Sequence, residues 1–204
     1  MKKVAYYCCL SLVLISCSVN YSAYAKNDCL SQKKEQALNG DSEAAIQVGW
    51  AYYKGESCVE KSIGNALVWI RKSALLGNKR AQYSLGVMYL HGLDVNKDIL
   101  IAAEYLEMAA NQGDTAAMEY LRVMYANGKG IKKDYKRSYY WLYVEHQGDL
   151  PAWSNEATWK QRLTQAEITE VEESAEKKIR QLFSQKINGV RYFLQNSCQA
   201  AGLK

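Results

Sequence analysis

The fold of this 204-residue chain is decided by residues 77–112, GNKRAQYSLGVMYLHGLDVNKDILIAAEYLEMAANQ. The same pattern occurs once before and once after this stretch at a spacing of 36 residues, with one extra residue near Cys58. The recurring positions are Ala44, Ala81 and Ala117; Tyr52, Tyr89 and Tyr125; Gly55, Gly92 and Gly128; Val59, Val95 and Ile131; Lys61, Lys97 and Lys133; Ala66, Ala102 and Ser138; and Trp69, Tyr105 and Trp141. A fixed period of this length is typical of stacked units that bury a core only against their neighbours. It predicts a solenoid, whose extended surface suits binding better than catalysis.

Two helices are predicted in each unit. Each unit opens with a helix-ending glycine followed by a polar N-cap: Gly40-Asp41, Gly77-Asn78 and Gly113-Asp114. A first helix follows over 42–54, 79–91 and 115–127, and each ends at a glycine. The second helix has Ser62, Asp98 and Asp134 as candidate N-caps. Its alanine and aromatic positions, three residues apart, share one face and predict core packing rather than a cofactor site.

Small residues predict close packing of the paired helices in two of the units. Gly49 and Gly86 have no side chain to hold the second helix away. The equivalent position in the third unit is Arg122, which predicts looser packing or exposure there.

These residues resemble the Sel1-like repeat, a relative of the tetratricopeptide repeat. The resemblance is carried by residues 81–89 (AQYSLGVMY), Gly92, Val95, Asp98, Ala102, Tyr105, Ala109, Ala110 and Gly113, and by their equivalents in the other units. It implies an all-α fold, a right-handed α/α solenoid of about three repeats (about 41–76, 77–112 and 113–148) with capping helices. It also implies an adaptor or binding platform. Cysteine-rich members linked to penicillin binding have paired cysteines within their repeats, which this chain lacks.

The flanks of residues 41–148 are predicted to be caps. Residues 26–40 form an N-terminal capping half-repeat, with Asp28 as its helix cap. Residues 149–204 form C-terminal capping helices and a tail, beginning with a decayed helix anchored by Trp153 and Trp159. Thr164-x-x-Glu167 is a capping box that opens a long helix. We expect that helix to have the apolar face Ile168, Val171, Ala175, Ile179, Leu182 and Phe183 and to end at Asn188-Gly189.

The N-terminus predicts export. Residues 1–25 combine Lys2 and Lys3, an apolar run over 4–15 and the cleavage site Ala23-Tyr24-Ala25, as in a secretory signal peptide. Residues 14–17 (LISC) also resemble a bacterial lipobox, so Cys17 is a possible lipidation site. The expected location is therefore the periplasm, or the envelope through a lipid at Cys17. Contact with a membrane is expected only through that lipid.

Cysteines, histidines and charge limit the chemistry that the chain can perform. Cys29, Cys58 and Cys198 lie beyond Ala25, and a stacked array brings the first two together, so we expect a Cys29–Cys58 disulfide. The sparse His91 and His146 do not complete a metal site, and no cofactor is expected. The net charge of +5, without a basic run, does not favour nucleic acid.

No catalytic motif stands out in the sequence. Neither histidine lies near a nucleophile in a recognisable context, and no phosphate-binding loop, zinc-protease helix or nucleophile elbow is present. The glutamates at 167, 170, 172 and 173 are interpreted as a solvated helix face. We therefore expect a protein that is not an enzyme; activity on cell-wall or β-lactam compounds is the least favoured alternative.

Paired-helix solenoids bind mainly along the concave face, which the first helices line. A helical wheel leaves free the positions between the two packed faces, and from these we predict a protein-binding site comprising Gln47, Trp50, Lys54, Arg80, Ser84, His91, Tyr120 and Asn127. The expected partner is another protein or peptide of the cell envelope. A general adaptor or scaffold is the first hypothesis. An immunity protein that neutralises an envelope-targeted toxin, such as a secreted phospholipase, is the alternative and rests on analogy.

Overall fold

The computed structural model describes residues 30–56, 59–128, 130–150 and 161–200, with side chains up to residue 190. Its helices are α1 (Ser31–Leu38), α2 (Ser42–Lys54), α3 (Ile63–Leu75), α4 (Lys79–His91), α5 (Ile99–Ala110), α6 (Thr115–Asn127), α7 (Tyr135–Glu145) and α8 (Gln165–Ala200). No strand occurs within these ranges, and the predicted all-α class is confirmed. Among the described helices, none is both long and apolar enough to cross a membrane.

Local signals determine where the repeat helices begin and end. The first helices α2, α4 and α6 have the bounds that the sequence predicts. At the start of α5, Asp98 Oδ1 accepts hydrogen bonds from the N–H groups of Leu100 and Ile101, both at 3.0 Å. At the end of α2, Gly55 has φ 74°, a left-handed conformation that glycine adopts without steric cost.

The loop inside each repeat closes in the same way. The backbone N–H of the residue that caps the second helix donates to the carbonyl of the tyrosine that recurs in every repeat. The distances are 2.9 to 3.0 Å, for Ser62 to Tyr52, Asp98 to Tyr89 and Asp134 to Tyr125. Each bond satisfies a carbonyl in the last turn of the first helix, which has no partner within the helix. The recurring loop therefore connects the two helices at a set geometry.

Residues 30–81 form one compact unit in which α1, α2 and α3 pack together. Ala37, Ala44 and Ala45 are buried there against Trp69. At Gly49, an added Cβ would lie 2.7 Å from the side chain of Ile70. Only glycine therefore allows α2 and α3 to approach this closely, as predicted.

The second unit begins at Gln82 and contains the rest of α4 and helices α5 to α8. Its main core contains Leu106, Leu121 and Trp141, and Ala175 of α8 is buried in the same cluster. A second cluster joins Tyr139 and Leu142 of α7 to Leu163, Ile168 and Val171. The first part of α8 therefore covers the end of the third repeat.

The third repeat replaces close packing with an ion pair. The side chain of Arg122 is half-buried, at 20% exposure, so it is not fully exposed, and the looser packing predicted for this repeat stays a prediction. Its Nε lies 3.7 Å from Oε2 of Glu145, whose equivalents in the other repeats are Ser73 and Ala109. Burial raises the pKa of Glu145, while His146 and Arg122 oppose the rise. Two positions that hold small residues in the other repeats thus hold two half-buried charged residues that face each other in the third.

The caps differ from prediction at three points. Helix α1 begins after Leu30, which makes no side-chain capping bond, whereas the predicted cap Asp28 lies outside the described residues. Phe183 is 47% exposed and does not belong to the packed face of α8. Helix α8 also continues through Asn188-Gly189 to Ala200. A helical glycine costs only about 1 kcal/mol relative to alanine, which is too little to end a long helix.

Several predictions fall outside the described part of the chain. They concern the signal peptide over 1–25, Cys17, Cys29, Cys58, and the Trp153 and Trp159 anchors, together with the side chain of Cys198. All of them stay predictions. The capping box is within the described range and is confirmed: Glu167 N–H donates to Thr164 Oγ1 at 3.3 Å, and Thr164 N–H donates to Glu167 Oε2 at 2.9 Å.

Candidate functional site

The predicted binding residues lie on the first helices and are accessible. Helix α2 carries Gln47, Trp50 and Lys54; α4 carries Arg80, Ser84 and His91; and α6 carries Tyr120 and Asn127. Trp50, Ser84 and Tyr120 are half-buried, and the other five are exposed. The recurring alanines of the same helices are buried, as Ala44, Ala81 and Ala117 illustrate. The eight residues therefore have the accessibility that binding requires, and their role as a site stays a prediction.

In the N-terminal unit, Glu43 connects two of the predicted residues. Its Oε1 accepts a charged hydrogen bond from Arg80 Nη1 at 3.1 Å and lies 3.5 Å from Gln47 Nε2. Its Oε2 accepts from Asn78 Nδ2 at 3.0 Å. Exposed pairs of this kind contribute little to stability, about 0 to 1 kcal/mol. Their main effect is to hold Arg80 and Gln47 beside one another at the surface.

The remaining two residues of this unit lie further along α2. The rings of Trp50 and Tyr53 meet edge to face, with centroids 5.3 Å apart. Lys54 pairs with Glu56 at 3.1 Å in the loop that follows. Trp50 is therefore held by a neighbouring ring while part of its surface remains accessible.

In the second unit, an aromatic cluster consists of Tyr83, His91 and Tyr120. The Tyr120 ring centroid lies 6.1 Å from that of Tyr83 and 6.3 Å from that of His91. Tyr83 and Tyr120 are half-buried, whereas His91 is exposed. The structure thus brings together two predicted residues from different helices, with Tyr83 beside them.

The electrostatics of this cluster keep the hydroxyl group of Tyr83 protonated. Burial raises the pKa of Tyr83, and Tyr120, Asp114 and Glu119 raise it further. The tyrosine hydroxyl therefore remains a hydrogen-bond donor at neutral pH. The two tyrosine rings and the Asp114 carboxylate also make this a surface that accommodates a cation on its partner, whereas Glu119 already pairs with Arg122 at 3.9 Å.

Tyr83 was not predicted as a surface residue. Its equivalents in the other repeats are Ile46, which is buried, and Glu119, which is exposed. The helical wheel assigned this position to packing because the first repeat has an apolar residue there. No sequence signal identifies Tyr83 as part of this surface, because only its three-dimensional contact with Tyr120 reveals it.

Another polar cluster of the second unit contains Tyr125, Glu107 and Arg137. The Tyr125 hydroxyl donates to Glu107 and accepts from Arg137 Nη1 at 2.7 Å. The guanidinium also lies over the Tyr125 ring, 5.2 Å from its centroid. These three side chains therefore connect α5, α6 and α7.

A cleft of about 540 Å³ lies beside α7 and α8, lined by Tyr143, Gln147, Gly148, Asp149, Glu176, Ile179 and Arg180. Arg180 Nη1 lies 3.2 Å from Glu176 Oε2, and both side chains stay more than half exposed. The lining contains no serine, cysteine or histidine that could act as a nucleophile with its base. In the described part of the chain, no group of three or more His, Cys, Asp or Glu side chains could hold a metal ion.

A family model and a solved structure identify the same repeat in this chain. The Sel1 repeat model matches residues 42–78, 79–114 and 116–143. A Sel1 repeat protein from Oxalobacter formigenes is 31% identical with a TM-score of 0.54, and the match covers 66% of this chain and 96% of that one.

Two longer proteins share only part of their length with this chain. The first is c5321, a protective antigen of uropathogenic Escherichia coli strains displaying an SLR fold, which is 32% identical with a TM-score of 0.53 over 58% of this chain and 25% of its own. The second is the chitin synthase regulator SKT5 of Saccharomyces cerevisiae, 32% identical over 81 residues, which are 39% of this chain and 12% of the regulator. Sel1 repeats typically serve as scaffolds for protein interaction. Because the three repeats match the family model and the chain covers almost all of the Oxalobacter protein, this chain belongs to the Sel1 repeat family.

Proposed function

We propose that this chain is a non-catalytic adaptor of the bacterial cell envelope that binds a protein or peptide through the first helices of its repeats. The observation that carries the proposal is the accessible cluster of Tyr83, His91 and Tyr120. Aromatic side chains dominate binding energy at interfaces because they bury a large area with few rotatable bonds. Rings that already contact each other lose little additional freedom when a partner covers them.

The division of residues within each repeat supports the same proposal. Recurring positions such as Ala81 and Leu85 are fully buried and hold the scaffold together. The positions between them, such as Arg80 and Ser84, differ from repeat to repeat and are accessible. Variable side chains on a rigid helical scaffold are well placed for recognition, because the scaffold holds them before the partner arrives.

The envelope location rests on the N-terminal sequence. Lys2 and Lys3, the apolar run over 4–15 and the cleavage site at Ala25 support export, and Cys17 supports a lipid-anchored form as the alternative. The mass of the mature N-terminus tests this part, since a chain starting at Lys26 and one starting at a lipidated Cys17 differ in both length and modification.

Site-specific photocrosslinking in the native envelope tests the binding surface. A photoreactive phenylalanine replaces Tyr120 in one variant and Trp50 in another. Matched controls place it at Val68 and Leu75 of α3, which are 61% and 79% exposed and so at least as available to chance encounters. We expect a discrete crosslinked partner from the first-helix positions and none from α3.

Two outcomes would contradict the proposal. The first is equal crosslinking from α2, α3 and α6, which would show that no face is preferred. The second is turnover of a cell-wall or β-lactam substrate by the purified protein, lost when one Glu or His is replaced. An immunity role is a narrower form of the same binding function, and the identity of the crosslinked partner would reveal it.

A further inference from the structure

Helix α8 changes its charge and its surroundings along its length. Residues 165–176 contain five glutamates and no lysine or arginine. Residues 177–204 contain six lysines and arginines and no acidic residue. A single helix therefore joins an acidic segment to a basic one, and the structure gives the two segments different neighbours.

The acidic segment is a cap. Ile168, Val171 and Ala175 are buried, and Glu172 accepts a hydrogen bond from Tyr139 at 2.7 Å. The packed face ends at Leu182, whose Cδ2 would lie 3.4 Å from a Cβ added at Gly113. Beyond Leu182, every residue up to 190 is exposed.

An apolar stripe runs along the exposed part. Phe183, Ile187 and Val190 are 47%, 62% and 55% exposed, and their spacing of four and three residues places them on one face of the helix. At 100° per residue, this face is rotated by about 90° from the one that packs on the repeats. Arg180 and Lys186 lie about 60° to either side of the stripe by the same geometry.

We propose that residues 180–200 of α8 bind the surface of an anionic lipid bilayer. Large apolar residues between flanking cations are the pattern of a helix that lies in the membrane interface. The apolar face enters the acyl boundary, while the long stems of Arg180 and Lys186 reach outward to the headgroups. Glu176, which pairs with Arg180 at 3.2 Å, marks the end of the binding surface on the side of the repeats.

Charge distinguishes a lipid surface from a second copy of the chain. Antiparallel pairing of two stripes about Asn188-Gly189 sets position 186 opposite position 191, and both are basic. Parallel pairing places each cation beside the same residue of the second chain. Both arrangements bring like charges together at the contact, which opposes self-association. An anionic bilayer covers the apolar stripe and neutralises the cations at the same time.

Binding to vesicles tests this proposal. The full chain is sedimented with vesicles of phosphatidylcholine alone and with vesicles containing 30 mol% phosphatidylglycerol, at low and high salt. We expect binding that needs phosphatidylglycerol and weakens with salt. Arg180→Gln with Lys186→Gln should lower the partition coefficient about 30-fold, because each cation near an anionic surface contributes about fivefold. Lys79→Gln with Lys132→Gln removes the same charge elsewhere and should change it little.

A second pair of variants tests the apolar stripe. Phe183→Ser with Ile187→Ser should abolish most binding, whereas Val68→Ser with Leu75→Ser, which changes more exposed residues on α3, should not. Circular dichroism checks that each variant remains helical. Hydrogen exchange with mass spectrometry localises the contact: peptides from 180–200 should exchange more slowly on phosphatidylglycerol vesicles, and peptides from α3 should not. This readout also separates α8 from any binding by residues 1–25.

Three results would overturn the proposal. One is unchanged exchange in residues 180–200 at lipid concentrations that bind the chain. Another is an equal loss of binding in the α3 and α8 variants. The third is a dimer in light scattering that is lost with Phe183→Ser and Ile187→Ser while no vesicle binding occurs, which would assign the stripe to self-association.

Discussion

Replacing Gly86 with alanine places two opposing effects in competition. Alanine is favoured in a helix interior by about 1 kcal/mol over glycine. The new Cβ, however, would lie 2.7 Å from Leu106 Cγ and 3.3 Å from the Ala102 carbonyl oxygen. Overpacking a buried contact typically costs about 1 to 3 kcal/mol. We use the upper half of this range, about 2 to 3 kcal/mol, because the clash at Gly86 includes a backbone atom. We therefore expect Gly86→Ala to lower the free energy of unfolding by about 1 to 2 kcal/mol.

Gly64→Ala is the matched control. Gly64 lies in α3 with nothing within 4 Å of an added Cβ, so the propensity gain acts there without a clash. The expected change is an increase of up to about 1 kcal/mol, which is opposite in sign to that of Gly86→Ala. Urea unfolding of the full chain, followed by circular dichroism, measures both, and an unchanged m-value ensures that the two midpoints can be compared.

A double-mutant cycle identifies the atoms responsible. Leu106 is fully buried, and Leu106→Ala alone should cost about 2 to 5 kcal/mol through the cavity it leaves. In the Gly86→Ala background the same change should cost at least about 1 kcal/mol less, because the new methyl group occupies part of the vacated space. If Gly86→Ala is as stable as the parent chain, or the two changes are additive, then close approach of α4 and α5 is not what requires glycine at this position.

Three further predictions concern helix caps, a half-buried carboxyl group and a disulfide. Asp98→Ala should lower the free energy of unfolding by about 1 kcal/mol because two N–H groups lose their acceptor. Ser62→Ala should lower it less because it removes a single hydrogen bond of 3.4 Å. Urea midpoints that reverse this order would contradict the assignment of these residues as helix caps. The raised pKa of Glu145 means that the folded state binds the proton of this carboxyl group more tightly than the unfolded state does. The stability that this protonation contributes is therefore lost as pH rises from about 4.5 through the raised pKa, and Glu145→Gln should flatten that part of the curve of stability against pH. Peptide mapping without reduction should recover Cys29 linked to Cys58, and a link from either residue to Cys198 would refute the pairing.

The repeat helices were predictable because their signals are local. The bounds of α2, α4 and α6 follow from a polar cap at one end and a glycine in the left-handed conformation at the other. Each of these signals acts through contacts within a few residues along the chain. Burial of the recurring alanines follows from the period itself.

The errors concern effects that act over longer distances. The ion pair of Arg122 was missed because its partner Glu145 lies 23 residues further along the chain. The end of α8 was assigned to Gly189, whose helical cost is smaller than the stability that a long helix provides. In both cases one residue type was weighed without the structure that surrounds it.

The same distinction explains where partner recognition is best sought. Residues that repeat, such as Leu85 and Leu121, are fully buried, and their constancy reflects packing between helices. Two accessible features lie outside this buried pattern, namely the Tyr83–Tyr120 contact and the Phe183 stripe of α8. The first combines rings with acidic neighbours and the second combines apolar residues with cations, so the two surfaces favour partners of opposite charge. Salt screens both attractions regardless of sign, so raising the salt concentration cannot distinguish the two surfaces. Substitution of Tyr120 should affect only the binding of a protein partner, and substitution of Phe183 should affect only the binding of the lipid surface.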